Sequence, residues 1–231
     1  MAEIQPLTRS DHDAVVALST NTALQTPSAG YDELQTDLLI RSANDKVRSI
    51  VFTGIAEGDG VSTIAARFAS ALARDSGLRV LLLDAQLRRP AQHNLFRLNP
   101  ADSLLDVMSG ITPVDSIAPA RSEGLYILPG GGVAHDPGAL FRSPVFEQLY
   151  RTISKSFDYL IIDSPPIREA PETRLLARRA DATVLVVNSE ATRIREAQEA
   201  QEQIRNAGGD LIGVVLNRVQ EHIPSWLQRW L

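Results

Sequence analysis

The stretch that sets the fold is residues 49–73, which read SIVFTGIAEGDGVSTIAARFASALA. It predicts a short apolar strand over 49–52, a Gly-rich turn that ends in Ser-Thr, and a helix over 64–73. This order is the setting of a Walker A phosphate-binding loop, in which backbone N–H groups and a helix N-terminus face phosphate oxygens. Val61 stands where a lysine normally reaches the β- and γ-phosphates. The sequence therefore predicts a nucleotide-binding architecture without its main cation.

Apolar strands alternate with amphipathic helices along the rest of the chain. The predicted strands after the first are 78–84, 125–128, 159–163, 182–187 and 211–216. The predicted helices are 31–40, 64–73, 90–96, 103–108, 113–117, 143–157, 171–179 and 193–206. This alternation predicts an α/β fold with a doubly wound, mostly parallel sheet, of the P-loop NTPase type with a deviant Walker A loop.

Composition narrows the class of protein. The chain has 231 residues, of which 44% are hydrophobic, enough for one sizeable core. It has no cysteine, which excludes disulfides and Cys-based metal sites. A net charge of -5 argues against general nucleic-acid binding, and neither a signal-peptide pattern nor an apolar run of about 20 residues is visible. We expect a cytoplasmic protein with a flexible arm over 1–28, a P-loop NTPase-like domain over 29–220 and a tail over 221–231.

Four further stretches resemble motifs of the bacterial tyrosine kinases, the cytoplasmic ATPases of capsule and exopolysaccharide export systems. Residues 79–90, RVLLLDAQLRRP, look like the Walker A′ motif, and residues 159–166, YLIIDSPP, are similar to the Walker B strand. Residues 136–144, DPGALFRSP, resemble the segment before that strand, and residues 213–218, GVVLNR, resemble the last core strand. The similarity extends over nearly the whole predicted domain.

The resemblance implies a site for ATP or ADP with Mg²⁺. The residues that it implies for nucleotide binding are Gly58, Asp59, Gly60, Val61, Ser62, Thr63 and Asn217, the last of them at the adenine. For the metal it implies Ser62, Asp84 and Asp163, with Asp84 as a catalytic residue if the protein is active. The residues themselves leave two alternatives open, in which Asp84 caps a turn or helix and Asn217 caps a loop.

The chain departs from this family at several charged positions. Val61 removes a cation whose loss costs on the order of 2–5 kcal/mol, and Gln86 replaces the second acid of the usual Asp-x-Asp in the Walker A′ motif. Family members also carry a Glu-x-x-Arg-x-x-Arg motif that helps to build a ring of subunits, and the aligned residues here are Ala29, Asp32 and Gln35. The usual ring is therefore doubtful, which leaves a dimer or a monomer.

The C-terminus differs from the family as well. Active kinases of this type end in a tyrosine cluster, whereas none of the four tyrosines here follows the last predicted strand. The tail carries Trp226 and Trp230 at i, i+4 spacing instead. Such a pair can dock on a partner or a membrane face, or the tail can fold back on its own domain.

Three functions agree with these residues. The first is a catalytically impaired, tyrosine-kinase-like protein that regulates or scaffolds exopolysaccharide biosynthesis and export, of capsule or adhesin type. Its expected partner is a membrane-bound polysaccharide co-polymerase, which would hold it at the inner face of the cell membrane. The second is an active ATPase or protein-tyrosine autokinase of the same pathway, which the retained Ser62, Asp84 and Asp163 favour. The third is a partition or division-site positioning ATPase, but that group carries two loop lysines where this chain has Ala56 and Val61.

Overall fold

Seven parallel strands form one sheet in the computed structural model, which describes residues 14–17, 47–74, 77–98, 102–113 and 124–218. The strands are β1 (Ala14–Ala17), β2 (Ser49–Gly54), β3 (Val80–Asp84), β4 (Leu125–Leu128), β5 (Tyr159–Asp163), β6 (Ala182–Asn188) and β7 (Leu211–Asn217). Their order across the sheet is β1-β7-β6-β2-β5-β3-β4, and every neighbouring pair is parallel. The predicted parallel α/β sheet is confirmed, and β2, which leads into the Gly-rich loop, lies at its centre.

Helices cover both faces of this sheet. They are α1 (Val61–Arg74), α2 (Gln92–Phe96), α3 (Leu104–Met108), α4 (Pro137–Arg142), α5 (Pro144–Ser156), α6 (Pro171–Arg179) and α7 (Ile194–Asn206). Because successive side chains of a strand point to opposite faces, β2 contributes to two cores. Phe52 packs with Phe68 of α1, with ring centroids 5.3 Å apart, whereas Val51 joins the cluster that contains Phe146 of α5. Each of these four side chains is fully buried.

Two helix boundaries differ from the prediction in ways that matter for the site or the fold. Helix α1 begins at Val61, three residues earlier than the periodicity indicates, so that the end of the Gly-rich loop already belongs to the first helical turn. Helix α4 was not predicted, because six residues are too few to show a helical period. It is defined by its cap, since Asp136 Oδ1 accepts the N–H of Ala139 at 2.9 Å.

The edge strand β1 lies within the predicted N-terminal arm. Its residues pair with β7, Ala14 opposite Gly213 and Ala17 opposite Leu216. The prediction of a flexible arm therefore does not hold for these four residues, whose backbone extends the sheet. The rest of the arm, the predicted helix 31–40, the aligned ring-motif positions, residues 114–117 of another predicted helix and the C-terminal tail lie outside the described residues. None of the helices in the described part of the chain combines the length and apolarity needed to cross a membrane.

Candidate nucleotide site

A cavity of about 260 Å³ opens at the carboxyl edge of the sheet, beside the end of β2. Its lining residues are Ala56, Glu57, Gly58, Asp59, Gly60, Val61, Ser62, Thr63, Gln86, Arg89 and Pro166. The first eight come from the Gly-rich loop and the start of α1, and Gln86 and Arg89 follow β3. The six loop residues predicted for nucleotide binding therefore line one cavity. Open parallel sheets bind ligands at this edge.

The start of α1 places unpaired backbone donors at this cavity. The first hydrogen bond back along the helix runs from the N–H of Ile64 to the carbonyl of Gly60, at 3.0 Å. The N–H groups of Val61, Ser62 and Thr63 precede it and so have no carbonyl of their own helix to bond. Together with the helix dipole they make the cavity suited to phosphate oxygens.

Asp59 and Asn217 hold the loop in shape. Asp59 Oδ2 accepts the N–H groups of Ile55, at 2.8 Å, and Ala56, at 2.9 Å, so its charge is directed into the loop. Asn217 Nδ2 donates to the carbonyl of Asp59 at 2.7 Å. Gly60, at φ +90°, lies so close to this amide that a Cβ would come within 2.2 Å of Asn217 Nδ2. The loop-capping alternative for Asn217 is therefore realised, and its contact with adenine stays a prediction.

Val61, at the position of the usual lysine, packs against the end of β2. Val61 is 6% exposed and belongs to the same apolar cluster as Ile64 and Phe52. Its Cγ2 would lie only 2.9 Å from a Cβ on Gly54, so Val61 and Gly54 are in close contact. The side chain at this position thus contributes to the core and brings no charge to the cavity.

Two glutamine amides bind the groups that were predicted to hold Mg²⁺. Gln86 Nε2 donates to Ser62 Oγ at 3.0 Å and to Asp163 Oδ1 at 3.2 Å. Gln92 Nε2 donates to Asp163 Oδ2 at 2.7 Å and to the carbonyl of Ser62 at 3.1 Å. The structure therefore brings Ser62 and Asp163 together, and the two amides donate to both residues. We name this arrangement of Ser62, Gln86, Gln92 and Asp163 the amide bridge.

Asp84, the other predicted metal ligand, anchors the segment that carries these amides. It is fully buried, and its carboxylate accepts the N–H groups of Gln86 at 3.1 Å, Ala91 at 2.9 Å and Gln92 at 3.0 Å. The capping alternative is what the geometry realises. Asp84 also lies directly opposite Asp163 in the sheet, because β3 and β5 are neighbours in register.

Burial changes the protonation of this carboxylate pair. Burial, and after it the charge of Asp84, raise the pKa of Asp163 to about 7, against opposing hydrogen bonds from Ser62, Gln92 and Gln86. Burial also raises the pKa of Asp84, against hydrogen bonds from backbone N–H groups. Without a cation beside it, burial and the neighbouring carboxylate thus favour the protonated form of Asp163.

The side chains present do not fit a metal ion bound directly between Ser62, Asp84 and Asp163. Mg²⁺ needs oxygen ligands in near-octahedral geometry, whereas here both oxygens of Asp163 and the hydroxyl of Ser62 accept amide donors. In the described part of the chain no group of three or more His, Cys, Asp or Glu side chains is placed to hold a metal. The predicted metal ligands thus stay a prediction that the side-chain arrangement does not support.

Two arginines after β3 have different partners. Arg88 Nε donates to Glu172 Oε1 at 2.9 Å, and the Glu172 side chain is only 2% exposed. Arg89 reaches across the cavity mouth and forms an ion pair with Glu57 Oε2. Neither this pair nor Gln92 was among the predicted site residues. Their partners are remote in sequence. The one signal was position, because the two arginines lie at the end of the Walker A′-like stretch and Gln92 follows it.

Comparison with known proteins finds related sequences. A family model described as ParA, NUBPL iron-transfer P-loop NTPase, matches residues 47–226. The tyrosine-protein kinase CpsD of Streptococcus pneumoniae serotype 4 is 30% identical over 198 residues, covering 85% of this chain and 86% of the relative.

Two solved structures share the fold of this chain. The chimerical protein CapA2B2 superposes with a TM-score of 0.85 at 30% identity, covering 91% of this chain and 96% of that one. The septum site-determining protein MinD of Pyrococcus horikoshii, solved with Mg-ADP, gives a TM-score of 0.62 at 21% identity, with 79% and 76% of the two chains covered, and so supports the fold alone. Binding of nucleotide and Mg²⁺ is general among P-loop NTPases.

Proposed function

The chain belongs to the bacterial tyrosine-kinase family of P-loop NTPases, and we propose that it is a catalytically impaired member. It acts as a regulatory or scaffolding subunit in the biosynthesis and export of a capsule or adhesin-type exopolysaccharide. Its cavity binds ADP or ATP weakly. The bound nucleotide stabilises a conformation of the protein and is not turned over.

The observation that carries this proposal is the amide bridge. In phosphoryl transfer, metal ions and cationic side chains neutralise charge on the transferred phosphate and on the leaving oxygen. Here the Gln86 amide lies between Ser62 Oγ and Asp163 Oδ1, where metal-linked oxygens are expected. The cationic side chain is missing as well, because position 61 carries Val, whose side chain is uncharged and buried in the core.

These losses weigh more on catalysis than on binding. Removing a buried cation that faces phosphate costs on the order of 2–5 kcal/mol, equivalent to roughly 30- to several-thousand-fold in affinity. The backbone donors of Val61, Ser62 and Thr63 and the helix dipole remain, but the dipole contributes only about 1 kcal/mol. Ground-state binding can survive such a deficit, whereas stabilisation of the transition state cannot.

The partner in this proposal is a membrane-bound polysaccharide co-polymerase. Binding to it would bring the protein to the inner face of the cell membrane. The relatives named as tyrosine-protein kinases support the pathway, and the impaired site favours a role that depends on the folded protein and its contacts.

An active ATPase or autokinase of the same pathway is the second candidate. The observation in its favour is that Ser62, Asp84 and Asp163 are all retained and lie at one edge of the sheet. A positioning ATPase of the partition or division-site type is favoured by the matching ParA family model and by the shared fold. Against it, both loop lysines of that group are absent, and the MinD structure superposes less closely than the CapA2B2 structure.

Turnover by the purified protein separates the first two candidates. Phosphate release and autophosphorylation are measured with Mg-ATP for the natural chain and for Asp163→Asn, which keeps the shape of the side chain. We expect both proteins to give the same background rate and no phosphotyrosine by mass spectrometry. Turnover in the natural chain that Asp163→Asn abolishes would refute the impaired reading.

A complementation experiment tests the scaffolding role. A strain that lacks the gene is supplied with either the natural chain or Asp163→Asn, and secreted polysaccharide is quantified. The scaffold proposal expects equal restoration by the two proteins at equal cellular levels. Restoration by the natural chain alone would show that the pathway needs chemistry at this site.

A further inference from the structure

Among the described residues that line the nucleotide cavity, Arg89 is the one with a cationic side chain. It follows β3, whereas the remaining cavity wall is built mainly by the loop after β2 and the start of α1. Its guanidinium pairs with Glu57, a residue of that loop. The ion pair therefore links two loops across the mouth of the cavity.

The backbone that carries Arg89 is fixed from both sides. Arg88 is held by the buried Glu172, and the N–H of Arg89 donates to the carbonyl of Gln86 at 3.0 Å. Leu87 is fully buried, and the Asp84 carboxylate accepts the N–H of Ala91 two residues later. The position of the Arg89 Cα is thus set, and only its long side chain is free to change direction.

The ion pair itself is weak enough to exchange. The Arg89 side chain is 74% exposed and the Glu57 side chain 53% exposed, and an ion pair at that exposure contributes little to stability. A phosphate carries more charge than a carboxylate and accepts two parallel N–H bonds from a guanidinium. Phosphate is therefore a stronger acceptor for this guanidinium than the carboxylate of Glu57.

We propose that Arg89 supplies the phosphates with the positive charge that Val61 cannot supply, and that Glu57 holds this guanidinium while the cavity has no nucleotide. The inference rests on the proposed binding of nucleotide at this loop. It assigns Arg89 as a phosphate-binding residue and Glu57 as its competitor.

Isothermal titration with ADP and with a nonhydrolysable ATP analogue tests the assignment. The chain offers a matched control, because Arg151 is 73% exposed and pairs with Glu147 on α5, outside the cavity lining. We expect Arg89→Ala to weaken binding on the order of 10- to 100-fold, since a hydrogen bond to a charged group is lost. Glu57→Gln tightens binding roughly 2- to 5-fold by releasing the guanidinium. Arg151→Ala leaves the affinity unchanged.

Equal affinity of Arg89→Ala and the natural chain would overturn the inference. If the natural chain shows no binding, Val61→Lys serves as the reference. Binding by Val61→Lys alone shows that Arg89 does not replace the lysine, and it leaves the impaired scaffold in place. Absence of binding by both proteins overturns the phosphate-binding role of Arg89 and the nucleotide site together. Turnover, measured separately, decides the proposed lack of catalysis in every case.

Discussion

Substitution of Gln86 by Asp exchanges the central amide of the amide bridge for a carboxylate. The change removes the donor to Ser62 Oγ and the donor to Asp163 Oδ1. It also places a third carboxyl group beside Asp84 and Asp163, both of which are fully buried. The acidic residue expected in the Walker A′ motif is thereby restored.

The expected cost follows from these contacts. A buried polar group that loses its partner costs about 1–3 kcal/mol. That cost applies to the fully buried Asp163, and the half-buried Ser62 adds a smaller one. A domain of this size loses roughly 2–4 °C of melting temperature per kcal/mol. In the absence of divalent ions, Gln86→Asp is therefore expected to melt on the order of 5–15 °C below the natural chain. Repulsion among the three carboxyl groups acts in the same direction.

Magnesium distinguishes the substitution from a simple loss of hydrogen bonds. A cation bound by the native state alone stabilises it by RT ln(1 + [L]/Kd), so about 100 Kd of Mg²⁺ restores roughly 2.7 kcal/mol. We expect Mg²⁺ to raise the melting temperature of Gln86→Asp and to leave the natural chain unchanged. Gln86→Ala is the control, because it loses the same donors without gaining a carboxylate.

Thermal unfolding followed by circular dichroism, with millimolar Mg²⁺ or with EDTA, measures all three proteins. An equal rise in melting temperature with Mg²⁺ for the natural chain and for Gln86→Asp would refute the reasoning. The Gln86 amide would then be no obstacle to the metal. Indifference of Gln86→Asp to Mg²⁺ would show that the edge of the sheet cannot form a metal site even with the missing acid restored.

Three further predictions concern the loop and the buried carboxylates. Val61→Lys is expected to strengthen ATP binding by roughly 30-fold or more in isothermal titration. Equal and measurable affinity would show that the site does not need a lysine, and absence of binding by both proteins would show that the loop is not shaped for phosphate. Gly60→Ala is expected to destabilise the protein by about 1–3 kcal/mol more than Gly58→Ala in urea unfolding. Both glycines have positive φ, but only Gly60 abuts Asn217. Equal losses of stability would contradict this role of Asn217. Since the folded-state pKa of Asp163 is raised from 3.8 to about 7, the folded protein binds its proton more tightly than the unfolded chain, and stability should fall as pH rises through this window. Urea unfolding at several pH values should show that fall, and Asp163→Asn should reduce it; an undiminished fall would assign it to other groups.

The strands, the Gly-rich loop and the helix after it were predictable from the sequence, because each depends on neighbouring residues. Continuous apolar runs such as 159–163 read as buried parallel strands whatever their partners, and the turn of Gly58 and Gly60 into α1 is a local property of the backbone. The absence of a lysine at position 61 was equally plain.

The chemistry of the cavity was decided by tertiary structure. Gln86 meets Asp163, 77 residues away, only because β3 and β5 are neighbours in the sheet. Arg89 meets Glu57 because the loops after β2 and β3 open at the same edge. The sequence alone named the acids and the Gln86 amide without their partners, and it did not name Arg89. Which of them binds another protein group and which stays free for a ligand depends on distances set by the order of the strands, and no local pattern encodes that order.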